Sequence, residues 1–135
     1  MPKINESELK KEIKSGDFKN AYLLYGEESY LKEYYASELK NKIVDKTFEA
    51  FNFHYFDGKD TELDDILKDA QMLPMMSEYN FVMVKDYPIE KSANDIKLLE
   101  EYLKDAPDTT VFVFWFDAIE PDVKSAKFKK VIKAF

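Results

Sequence analysis

Four short apolar runs, each followed by a stretch with helical periodicity, constrain this chain more than any other feature. The runs are Ala21-Tyr22-Leu23-Leu24-Tyr25-Gly26, Phe51-Asn52-Phe53-His54-Tyr55-Phe56, Asn80-Phe81-Val82-Met83-Val84 and Thr110-Val111-Phe112-Val113-Phe114-Trp115-Phe116. Continuous apolar runs of this length read as strands buried on both faces. After the first, Leu31, Tyr35, Leu39 and Ile43 recur every four residues, predicting a helix from Glu28 to about Val44. After the second, Asp57-Gly58 supplies turn chemistry. Leu63, Ile66, Leu67 and Ala70 then predict a helix with Thr61 as its N-cap. Ile96, Leu99, Tyr102 and Leu103 place a third helix over 94–105, stopped before Pro107. A last one, from Asp122 onward, aligns Phe128, Val131, Ile132 and Phe135. A short helix from Ser7 to Lys14, ended by Gly16, precedes them all. Strand and helix alternating four times require a parallel sheet with right-handed crossovers and helices on both faces, hence an α/β fold.

At 135 residues the chain fits a single domain, 1–135, large enough to bury a core without a disulfide or metal staple. Hydrophobic residues at 45% beside charged residues at 35% describe a dense core under a charged skin. The absence of Cys removes thiolate metal sites and Cys nucleophiles, and one His excludes a His-based metal cluster. A net charge of −7 argues against broad contact with a phosphate backbone, so any DNA contact is expected to be mainly indirect. The polar amino terminus and the lack of a long apolar window point to a soluble, cytoplasmic protein with no membrane partner.

The chain offers little for bond chemistry. A phosphate-binding sheet needs its first strand to enter a glycine-rich loop, yet here it enters Gly26-Glu27-Glu28-Ser29-Tyr30-Leu31-Lys32, with one glycine and two carboxylates where phosphate would sit. Acidic residues gather at strand carboxyl ends: Glu27, Glu28, Asp57, Asp86 and Asp117. Such a set can hold Mg²⁺, which makes a Mg²⁺-dependent phosphotransfer or receiver-like domain the enzymatic alternative. The same residues are ordinary caps and turn formers. Ser29 has no nearby His, Ser77 and Ser92 sit in turns, and His54 alternates with aromatic residues in a strand, where packing or hydrogen bonding is its expected role. Trp115 belongs to the core of the strongest strand. Lys124, Lys127, Lys129, Lys130 and Lys133 make a basic terminal helix, either a solvated face or a surface for nucleic acid or an acidic neighbour. No catalytic residue, cofactor or metal site is expected.

One segment is out of place. Gln71-Met72-Leu73-Pro74-Met75-Met76-Ser77 joins a helix to a strand, yet carries four large apolar side chains around a proline. Pro74 breaks the helix, and the flexible thioethers of Met suit a surface that fits a partner's pocket. The competing reading has Met72 and Leu73 completing the helix and the whole group capping the core.

Tyr22-Leu23-Leu24-Tyr25-Gly26-Glu27-Glu28-Ser29-Tyr30-Leu31, Ala70-Gln71-Met72-Leu73-Pro74-Met75-Met76-Ser77 and Phe81-Val82-Met83-Val84 together resemble the amino-terminal domain of delta subunits of bacterial DNA polymerase III, part of the clamp loader. The resemblance runs through the element order of essentially the whole chain. It implies a P-loop NTPase/AAA+-like domain lacking the nucleotide-binding loop, in agreement with the separate reading of Gly26 to Lys32. It implies no catalysis of its own, although the parent holoenzyme is a DNA-directed DNA polymerase. Instead the resemblance implies that an apolar pair before the third strand plugs a pocket on the sliding clamp (beta subunit) and helps open the ring. By position that pair is Met75 and Met76, with Leu73 and Pro74 beside it; the family often shows Leu-Phe or Phe-Phe there, so two methionines are a departure. The family also implies a helical collar beyond Phe135 that joins other clamp-loader subunits. The apolar ending at Phe135 fits the front piece of a longer protein.

Overall fold

A computed structural model describes residues 6–25, 29–119 and 121–135. Its centre is a four-stranded, wholly parallel sheet of β1 (Ala21–Leu24), β2 (Phe53–Asp57), β3 (Asn80–Lys85) and β4 (Thr110–Trp115), in the spatial order β1-β4-β3-β2. β3 and β4 run side by side in register from Asn80 opposite Thr110 to Lys85 opposite Trp115.

Alternation along these strands builds two cores. Val82, Val84, Phe112 and Phe114 point to one face. There they meet Leu63, Ile66, Leu67 and Ala70 of α4 (Leu63–Ala70), Ile96, Leu99 and Tyr102 of α5 (Ala93–Lys104), and Phe128 and Val131 of α6 (Ala126–Ala134). Tyr22, Leu24, Phe81, Met83, Val111, Val113 and Trp115 point to the other. They meet Leu9 of α1 (Glu6–Ser15) and Tyr35, Ala36, Leu39 and Ile43 of α2 (Ser29–Ile43). Both faces of the central strands β3 and β4 are therefore dry, as apolar strands with no polar alternation require; β2, at the edge, departs from the expected burial on both faces, with Tyr55 49% exposed and Asp57 exposed as well. Gly16, at φ 79°, closes α1 by donating from its N–H to the Glu12 carbonyl at 2.9 Å.

Three boundaries differ from the sequence expectation. Phe51 and Asn52 do not open β2; they end α3 (Glu49–Asn52), which follows a 3-10 turn over Lys46–Phe48. Asp45 caps that turn by accepting from the Thr47 N–H at 2.9 Å. Phe48 and Phe51 are three apart, a helical spacing hidden inside an aromatic-rich run. Thr61 does not cap α4: its hydroxyl donates back to the Asp57 carbonyl at 2.9 Å, and the N-cap position falls to Glu62. The last helix starts at Ala126 rather than Asp122, because Asp122 folds a turn in which its carbonyl accepts from the Ser125 N–H and hydroxyl at 3.0 and 2.8 Å. Ser125 then caps α6 through the Phe128 N–H at 3.1 Å.

Candidate functional site

α4 stops at Ala70, and its freed end is well satisfied. The Ala70 carbonyl accepts from Tyr102 Oη at 3.1 Å and from Thr110 Oγ1 at 3.0 Å. Asn80, buried at the start of β3, donates from Nδ2 to the Asp69 carbonyl at 3.0 Å and to the Met72 carbonyl at 3.2 Å. The segment 71–79 that follows has no regular structure. Its middle is held by the residue immediately before the edge strand β2. Asn52, only 2% exposed, donates from Nδ2 to the Met75 carbonyl at 2.7 Å and accepts the Met75 N–H at Oδ1, also at 2.7 Å.

With its backbone anchored inward, the segment turns its side chains outward. Met72 is 47% exposed, Leu73 74%, Met75 53% and Met76 80%, with Pro74 half-buried between them. This excludes the reading in which the group caps the core, and it excludes Met72 and Leu73 as a last turn of α4. Met76 adopts φ 57°, a left-handed conformation uncommon for a residue with a Cβ. At the base of the segment His54 Nδ1 lies 3.3 Å from Asp69 Oδ2, tying β2 to the last turn of α4. That is the structural role expected of His54.

The other candidates have structural employment. Asp86, buried and at φ 59°, accepts from the backbone N–H groups of Asp117, Ala118 and Ile119 at 2.7, 3.1 and 3.3 Å. Asp57 Oδ1 accepts from the Lys59 N–H at 3.1 Å, and Asp117 pairs with Lys85 at 3.6 Å. Among the described residues no group of three or more His, Asp or Glu is arranged to hold a metal ion. Gly26, Glu27, Glu28 and so the loop after β1 lie outside the described residues. Trp115 is buried in the core under Lys85, whose Nζ sits 5.4 Å from the ring centre. Lys124, Lys127, Lys129, Lys130 and Lys133 are all exposed along α6 and the turn before it.

The family described as DNA polymerase III, delta subunit, matches residues 22–134. The chain belongs to the DNA polymerase III delta subunit family. A delta-family relative, the DNA polymerase III subunit delta of Bacillus subtilis (strain 168), is 32% identical over 131 residues, covering 92% of this chain and 37% of the relative. Among solved structures, the Bacillus subtilis DNA clamp loader delta protein superposes with a TM-score of 0.79 at 28% identity, covering 95% of this chain and 40% of that one. The chain thus spans about two-fifths of the length of these delta proteins. The fold is the AAA+-like parallel sheet that the sequence resemblance implied. Sequence reasoning located the apolar segment of this delta-family domain but missed its two anchors. The available signal was an asparagine within or beside each of two apolar strand runs, where that residue type is disfavoured.

Proposed function

We propose that this delta-family chain works by docking: Met75 and Met76, with Leu73 and Pro74 beside them, enter an apolar pocket on the sliding clamp and help open the ring for loading onto DNA. The observation that carries this reading is the segment 71–79, whose apolar side chains face solvent while buried asparagines hold its backbone. Burying a Met side chain in a pocket contributes roughly 1.5–3 kcal/mol, so two form a small hot spot. Docking shifts a closed clamp toward an open one only by the difference in affinity for the two forms. The chain contributes no bond chemistry in this reading, works in the cytoplasm, meets DNA mainly indirectly, and assembles with other clamp-loader subunits through parts of the protein outside these residues.

The test is a calorimetric titration of sliding clamp with the Met75→Ser/Met76→Ser variant. Strongly weakened binding with an unchanged fold is expected, and wild-type affinity would sink the proposal. A thermal midpoint that rises with Mg²⁺ or a phosphate analogue, and not with clamp, would favour the receiver-like alternative instead.

A further inference from the structure

Among the described residues, Asn52 is the buried side chain that grips the docking segment at its centre. It sits at the end of α3, 23 residues before Met75, and both ends of its carboxamide engage one residue's backbone at 2.7 Å. A neighbouring strand would satisfy Met75 in the same two-point way, yet among the described residues 71–79 takes no part in the sheet. The arrangement fixes the peptide planes on either side of Met75. The second of those planes sets the direction in which the chain enters Met76, at φ 57°. Resting on the docking function proposed above, we infer that Asn52 is a positioning residue for clamp binding: its two-ended grip on the Met75 backbone holds Met75 and Met76 in the projecting arrangement before the clamp arrives.

The physical ground is the cost of ordering. A loop that samples many conformations must surrender that freedom on binding, whereas one already held in its bound shape does not. Burial makes the grip effective, since a side chain 2% exposed loses little to competing water. Asn80 plays the corresponding part at the segment's start, where it holds the Met72 carbonyl, although its two bonds also serve to close α4.

The experiment uses the whole protein with Asn52→Asp and Asn52→Ala. Asn52→Asp keeps the side chain's shape and an oxygen facing the Met75 N–H, but sets a second oxygen against the Met75 carbonyl. Both variants are expected to weaken sliding-clamp binding about tenfold, the effect of losing about one good hydrogen bond's worth of pre-ordering. Amide exchange at Met75 should accelerate while β3 and β4 amides stay protected. Ile96→Val, which loosens the core on the α5 side, serves as a control for general destabilisation and should leave clamp affinity unchanged. Wild-type affinity in Asn52→Asp, or an equal loss in Ile96→Val at a matched fall in thermal midpoint, would overturn the inference. If Met75→Ser/Met76→Ser itself binds clamp normally, the docking reading falls and this inference with it. If that variant loses binding and Asn52→Asp does not, only the inference falls.

Discussion

Tyr102 Oη donates to the Ala70 carbonyl at 3.1 Å, so a residue on α5 closes the helix from which the exposed apolar segment departs. Burial pushes the Tyr102 hydroxyl up to about 12 from its ordinary 10.0, with a hydrogen bond to Thr110 pulling slightly the other way. The fold therefore favours the protonated phenol. The stability this confers is complete below pH 10 and is lost as pH rises from there towards about 12, where the folded-state hydroxyl itself ionises. Tyr22 and Tyr87 are raised in the same direction, mainly by burial, so they share this alkaline limb. Tyr102→Phe should lower stability at neutral pH by about 1 kcal/mol, the net value of one hydrogen bond. Thermal midpoints between pH 9 and 12 should fall less steeply in Tyr102→Phe than in the wild type; parallel slopes would count against the assignment.

Gly58 lies against the chain that leaves β3. A methyl group on its Cα would sit 2.3 Å from Tyr87 Cα, 2.4 Å from Tyr87 N and 2.5 Å from the Asp86 carbonyl oxygen. These are backbone atoms, which cannot swing aside, and the Gly58 N–H is committed to the Lys85 carbonyl at 2.7 Å. Gly58→Ala should cost at least the roughly 1–3 kcal/mol of an overpacked core site. A thermal melt within a degree of wild type would refute this.

Asp86 joins the ends of β3 and β4 by accepting three backbone N–H groups beyond β4. Asp86→Ala strands those donors and keeps an unfavourable positive φ, so a loss of more than about 2 kcal/mol is expected from buried donors alone. Asn tolerates the left-handed region and retains one acceptor oxygen, so Asp86→Asn should lose clearly less. Because the Asp86 carboxylate is occupied by amides, millimolar Mg²⁺ should leave the melting temperature of the wild type unchanged. Chemical denaturation of the two variants decides the stability order, and thermal melts of the wild type with and without Mg²⁺ decide the last point.

The sheet and the exposed apolar segment were legible for different reasons. β3 and β4 are buried on both faces, so their sequences carry unbroken apolar runs that admit little else. The segment around Pro74 stood out because apolar residues in a loop conflict with local expectation. The start of β2 was misread because Phe51 and Phe53 mimic strand alternation, whereas Phe48 and Phe51 actually follow a helical turn. Asn52 and Asn80 escaped notice because their work is long-range, and Asn52 acts on a residue 23 positions away. An asparagine in an apolar run marks its position as unusual, but no local pattern names the backbone that its side chain reaches. Thr61 and Asp122 were misassigned as helix starts for a related reason: each makes a turn hydrogen bond that competes with capping.

Met76 combines the greatest exposure in the apolar segment, 80%, with φ 57°. A residue with a Cβ in the left-handed region costs roughly 1–2 kcal/mol that glycine does not. An exposed side chain contributes little in return to the isolated fold. Met76→Gly should therefore hold or raise stability, by up to about 1 kcal/mol once the glycine's extra unfolded-state freedom is deducted. Met76→Ser should stay within about 0.5 kcal/mol of wild type, as for other exposed positions. If the proposed docking holds, clamp affinity is expected to fall in both variants, because each removes the solvent-facing thioether that would enter the clamp pocket. Denaturant midpoints and clamp titrations on the same preparations test the pair of signs together. A Met76→Gly variant that is clearly destabilised would show that this side chain serves the fold, and one that binds clamp as tightly as wild type would show that it has no part in docking.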